Sequence, residues 1–210
     1  MNKYLKISVI LAVVTWALFV ASECRMTKTS LKDYVVEAGK QNFKPGESIL
    51  PYFAPKGFEV LAVFDSSAWY GMDEWMNGDE VDGDWYDWNK LSGLTNYLTP
   101  NNKTTAMFAW RPDSTAYVIQ VAAYTNDSRG GFTPGPVELV PCGNLFVGQV
   151  NWTSSVARYT YGEQTIDHEI RRPWIVRHAG TWIGGANNAP GPWGGKVHKE
   201  MKLSVEMRVR

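Results

Sequence analysis

Seven carboxylates crowd one short stretch of this chain: Asp73, Glu74, Asp79, Glu80, Asp82, Asp84 and Asp87. Clustered carboxylates suit a hard cation. Calcium takes roughly six to eight oxygen ligands, which acidic side chains and loop carbonyls supply. Asn77, Asp79, Asp82 and Asp84 are of the right type and surround Gly78 and Gly83. Their spacing is not that of an EF-hand. No Asp-x-Asp-x-Asp-Gly run occurs, and no Glu closes the loop. The plainer reading is a solvated acidic loop with no resident metal, calcium being the alternative.

Aromatic residues interleave with these acids. Trp75 and Trp85 flank the cluster, and Trp193 sits in a second polar loop, Gly184-Gly185-Ala186-Asn187-Asn188-Ala189-Pro190-Gly191-Pro192-Trp193-Gly194-Gly195. An indole exposed in such a loop can stack on a sugar face or dock a protein. With Asn187 and Asn188 as hydrogen-bonding neighbours, these three tryptophans are the expected ligand-binding set. Trp110, Trp152, Trp174 and Trp182 lie in strand-like runs and are expected in the core.

Other chemistries are poorly served. His168, His178 and His198 have no metal-ligand spacing. No Gly-x-Ser-x-Gly elbow, phosphate loop or dinucleotide fingerprint is present. Lys+Arg and Asp+Glu number 21 each, so no polyanion is drawn by net charge and no nucleic-acid partner is expected. Catalytic residues are therefore expected to be absent, and no cofactor is expected other than the calcium alternative.

The elements that must position these residues follow an export signal. Lys3 and Lys6 precede an apolar run from Ile7 to Val20, and Ala21-Ser22 offers a small-residue exit. The run is short for a bilayer span of about 20 residues. Residues 1–22 read as the signal and 23–210 as one exported domain, secreted or associated with the envelope. Cys24 and Cys142 then enter an oxidising compartment, where pairing is the first expectation. A lipid on Cys24 is the competing reading and would be the chain's link to a membrane, although Glu23 and Ala21 fit a lipoprotein signal poorly.

Strands are expected over 30–39, 57–65, 104–111, 115–125, 137–140, 145–151, 156–161, 164–170 and 201–209. Pro112-Asp113-Ser114 and Tyr161-Gly162-Glu163 read as hairpin turns. In the last strand Met201, Leu203, Val205, Met207 and Val209 alternate with Lys202, Ser204, Glu206 and Arg208, the period of a half-buried strand. Only 27–33 and 87–91 could hold a helical turn. Many short strands with Gly, Pro and Asn turns predict an all-β, single-domain antiparallel β-sandwich of jelly-roll or lectin-like type.

Two resemblances bear on function. Glu80-Val81-Asp82-Gly83-Asp84-Trp85 resembles the Glu-x-Asp-x-Glu strand of laminarinase-like glycoside hydrolases. The resemblance implies Glu80 as nucleophile, Asp82 as its modulator and Asp84 as acid/base, about 5 Å from Glu80 across one strand face. Asp84 is shorter than the family's Glu, and Gly83 weakens a strand. Phe64-Asp65, Asn89-Lys90-Leu91-Ser92-Gly93, Ala109-Trp110-Arg111, the Tyr-rich 117–124 run and 184–190 together resemble a group of small exported proteins of Bacteroidota-type bacteria. Ala109 replaces that group's usual Gly. The group carries no established activity, and membership implies an exported β-sandwich with the acidic loop as a variable insertion. The expected function is an exported, non-catalytic binding module, with a glycan or a surface protein as partner. The alternatives are a laminarinase-like hydrolase and a structural surface protein.

Overall fold

The computed structural model describes residues 31–46, 50–69, 87–99, 103–183, 197 and 199–210. Leu31–Arg210 form one compact unit. Among the described residues, apart from a single 3-10 turn at Ser66–Ala68, every regular element is a β-strand. The strands are β1 (Lys32–Val36), β2 (Pro51–Phe53), β3 (Gly57–Phe64), β4 (Asn89–Asn96), β5 (Thr105–Pro112) and β6 (Val118–Asn126). They continue with β7 (Phe132–Pro141), β8 (Leu145–Trp152), β9 (Val156–Tyr161), β10 (Gln164–Glu169), β11 (Ile175–His178) and β12 (Met201–Val209).

Two six-stranded sheets result, ordered β1-β12-β3-β8-β9-β10 and β2-β11-β4-β5-β6-β7, antiparallel throughout. This is the expected all-β sandwich. The chain crosses repeatedly between the sheets, so β12 closes the first sheet between β1 and β3. The alternation read in β12 holds: Met201, Leu203 and Val205 are buried while Lys202 is exposed. Gly162 adopts φ 52° in the β9–β10 turn, a left-handed conformation that glycine adopts without steric cost.

The core fills the space between the sheets. Phe108 of β5 stands edge-on to Phe146, Tyr159 and Tyr161 of the opposite sheet, with ring centroids 5.2, 5.6 and 5.5 Å away. Edge-to-face contacts at this range add to the burial of apolar area. Trp110 and Trp152 are fully buried, as expected of strand tryptophans. On the open face of the first sheet, Glu59 takes hydrogen bonds from Gln149 and Arg210 at 3.0 Å each and lies 3.3 Å from Arg208. The basic C-terminal strand is thus matched by acids of its own sheet.

Several expectations need correction. The 87–91 segment is not helical: Asn89–Asn96 is a strand at the centre of the second sheet. Trp174 and Trp182 are not core residues. They are 72% and 38% exposed. Trp174 precedes the first paired residue of β11, and Trp182 joins Lys90 and Asn42 through isolated bridges rather than a strand. Trp69, for which the sequence carried no expectation, is buried at the end of the 3-10 turn, and its indole N–H donates 2.7 Å to the Asp113 carbonyl. Cys142 is half-buried and carries no disulfide among the described residues; Cys24, its expected partner, lies outside them, so the pairing is left to a test in solution. Residues 1–22 also lie outside them.

Candidate functional site

The sequence-derived site residues fall outside the described part of the structure. This holds for Trp75, Trp85, Trp193, Asn187 and Asn188, for the carboxylates Glu80, Asp82 and Asp84, and for Asn77 and Asp79 of the calcium set. Among the described residues no group of three or more His, Cys, Asp or Glu side chains could hold a metal ion. His168 points inward while its neighbours Asp167 and Glu169 are exposed, as strand alternation requires. Its Nδ1 lies 2.8 Å from Thr125 Oγ1, which lies 2.7 Å from the Tyr159 hydroxyl. His168 is therefore a core histidine, and burial pushes its pKa below the ordinary value, Asp167 opposing.

The described surface offers a different site. β4, β6 and β10 end at one pole of the sandwich, where the crossover to β11 begins. A groove of about 690 Å³ opens there, within the range of about 300–1,000 Å³ that ligand pockets occupy. Trp174 stands at it, its indole facing solvent, beside Leu98, which is 82% exposed. Asn96, Asp127, Glu169, Arg171 and Arg172 supply polar lining.

The floor of this groove is locked by backbone and side-chain bonds. Ile170 N donates 2.9 Å to Ser155 O and Arg172 N donates 3.0 Å to Ser154 O, extending the β9–β10 pairing beyond its last strand residue. The Arg172 guanidinium donates from Nη1 to the Trp152 carbonyl at 2.8 Å and also to the Pro55 carbonyl. Ala54 N donates 2.8 Å to the Trp174 carbonyl. Asp127 accepts backbone N–H bonds from Arg129 and Gly131 at 2.7 and 3.0 Å, which hold its carboxyl below the usual range. Sequence reasoning passed over Trp174 because it sits next to an apolar strand. The preceding Arg171-Arg172-Pro173, a charged and strand-breaking run, was the available signal.

A second polar patch lies on the face of the second sheet turned away from the other sheet. Lys90 Nζ sits 3.9 Å above the Tyr124 ring and donates 2.9 Å to the Trp88 carbonyl. Burial pulls its pKa down to about 8, against the pull of Asp87. Arg111 lies 4.5 Å above the Trp88 ring, and Phe132 stacks on Tyr124 at 5.3 Å. Met107, Ala109, Ala122 and Ala179 bury themselves among these groups. Here the cations are spent on aromatic rings of the same chain.

No family model matches the chain, and no curated protein matches its sequence. Solved structures are similar to it to different degrees. Alginate lyase Aly36B superimposes with a TM-score of 0.53 at 11% identity, over 86% of this chain and 80% of that one. The Crh5 transglycosylase bound to NAG gives 0.47 at 11%, over 88% and 77%. A glycoside hydrolase family 16 endo-glucanase from Bacteroides ovatus gives 0.40 at 8%, over 86% and 80%. The likeness to the lyase establishes the fold class, an antiparallel β-sandwich of the jelly-roll type. The resemblance to the exported Bacteroidota-type group rests on its short motifs.

Proposed function

We propose that this chain is an exported, non-catalytic carbohydrate-binding β-sandwich and that its glycan stacks on Trp174. One observation carries the reading: a tryptophan with most of its indole in water, at the rim of a groove whose floor is held rigid. The ring stands at a groove beside the exposed Leu98 rather than alone on the surface, and its face suits the C–H face of a pyranose. The shared fold with a protein that acts on alginate is consistent with a carbohydrate ligand but assigns none. The test is affinity electrophoresis in gels containing soluble polysaccharides, followed by a glycan array. Retention of the wild type that is lost in Trp174→Ala, with an unchanged melting temperature, supports the reading. Retention unaffected by that substitution moves the site elsewhere, with Trp75, Trp85 and Trp193 the next to change. Absence of any retention leaves the structural surface protein.

The hydrolase alternative keeps Glu80, Asp82 and Asp84 as its catalytic set, favoured by their likeness to the laminarinase-like motif. It requires reducing-sugar release from β-glucan that Glu80→Gln abolishes. The export reading is tested by N-terminal sequencing of the secreted chain, expected to begin at Glu23. Its mass distinguishes a Cys24–Cys142 disulfide from a lipid on Cys24.

A further inference from the structure

The groove at Trp174 has an unusual polar balance once its internal bonds are accounted for. Arg172 is engaged with two carbonyl oxygens. Asp127 is engaged with the amides of its own turn. Asn96 Oδ1 accepts the Leu98 N–H at 3.0 Å. Of the charged side chains that line the groove, Glu169 and Arg171 remain exposed, with no hydrogen bond or ion pair to another described side chain.

These two side chains share a side. Ile170, between them, is buried, and its N–H and that of Arg172 continue the strand pairing with the 153–155 turn. Alternation along an extended segment therefore sends Glu169 and Arg171 outward together, about 7 Å apart at their backbones. One is a pure acceptor and the other a pure donor.

We propose that this pair reads neighbouring hydroxyl groups of an uncharged pyranose whose apolar face lies on Trp174, so that the groove selects neutral glycans over uronate polymers. The inference rests on the glycan-binding reading above and specifies its ligand class. A hydroxyl both gives and takes a hydrogen bond, so adjacent hydroxyls can satisfy a carboxylate and a guanidinium at once. A uronate carboxylate can only accept. It gains from Arg171 but meets the charge of Glu169 beside it, while the charges of Asp127 and Arg172, both engaged in internal bonds, offset each other. The lining balances two acids against two bases, so no net field draws an anion in.

Calorimetric titration of the full exported chain with cellohexaose, laminarihexaose, mannohexaose and an alginate hexamer tests this. The expected result is binding of at least one neutral hexamer, with the alginate hexamer at least tenfold weaker. Glu169→Gln and Arg171→Gln each weaken the neutral ligand by about tenfold, since each removes a charge-assisted bond. Glu169→Gln also narrows the gap to alginate. Both positions are exposed, and an unchanged melting temperature establishes that each variant folds. A wild type that binds alginate more tightly, or neutral binding that depends on Trp174 while ignoring Glu169 and Arg171, overturns the inference and leaves the glycan-binding reading standing. No binding to any hexamer, together with no retention on any array glycan, overturns both.

Discussion

Arg172 Nη1 donates a 2.8 Å hydrogen bond to the carbonyl oxygen of Trp152, tying the crossover segment to the end of β8 directly beneath the residues that flank Trp174. The same guanidinium reaches Pro55. One side chain thus joins the start of β3, the end of β8 and the groove floor. Hydrogen bonds to a charged donor contribute about 1.5–3 kcal/mol each at most, and removing one leaves a carbonyl unpaired. Arg172→Met is expected to destabilise the fold by about 2 kcal/mol in urea titrations. It is also expected to weaken ligand retention at Trp174 without removing any group that touches the ligand. Arg172→Lys, which cannot reach two carbonyls with a planar fork, should recover only part of either loss.

Core packing gives a second expectation. A Cβ on Gly148 of β8 would stand 2.5 Å from Phe108 Cζ, well inside van der Waals contact. The aromatic cluster leaves Phe108 nowhere to move, because it already meets Phe146, Tyr159 and Tyr161. Gly148→Ala should cost about 1–3 kcal/mol through overpacking. Phe108→Ala should cost about 3–5 kcal/mol through the cavity it leaves. In the double variant the two costs should fall short of their sum, since the smaller ring relieves the clash. Equilibrium unfolding of the four proteins measures this.

The buried His168 predicts an acid-side loss of stability. Burial lowers its folded pKa below the 6.5 of the free side chain. Above pH 6.5 the imidazole is neutral in both states, and the full contribution is present. As the pH falls through 6.5 toward the folded pKa, the unfolded chain takes up a proton that the folded chain resists, and stability drops. The denaturation midpoint should therefore decline between about pH 7 and 5. His168→Phe should flatten that decline, though it also loses the bond to Thr125 and so starts from a lower plateau.

Lys90 acts on the alkaline side. Its folded pKa is about 8, against 10.5 in the free side chain. Between these values the unfolded chain binds more protons than the folded one, so stability rises with pH across that window. Lys90→Met should remove the rise. Side-chain carbon NMR of the wild type should show a lysine signal titrating near pH 8 that Lys90→Met removes.

Much of the sandwich is legible in the chain because a strand with one wet face writes its burial as a period of two. β12 shows this most clearly, and the Gly162 turn and the Pro112-Asp113-Ser114 turn mark their hairpins by turn chemistry. β4 carries no such mark. Asn89–Asn96 is buried on both faces and holds Asn, Lys, Ser and Gly, so neither alternation nor composition announces a strand. It is a strand because β5 and β11 pair with it on either side, contacts between segments distant in sequence. The tryptophans divide in the same way. Trp110 and Trp152 occupy inward positions of paired strands, which local pattern predicts. Trp174, expected in the core, is exposed, while Trp69 is buried. The sequence shows where indoles stand along the chain. Whether an opposing sheet lies above them is decided by the crossover from β10 to β11 and by the fold-back after β3. At the pole, among the described residues, that geometry leaves Trp174 facing water beside Glu169 and Arg171.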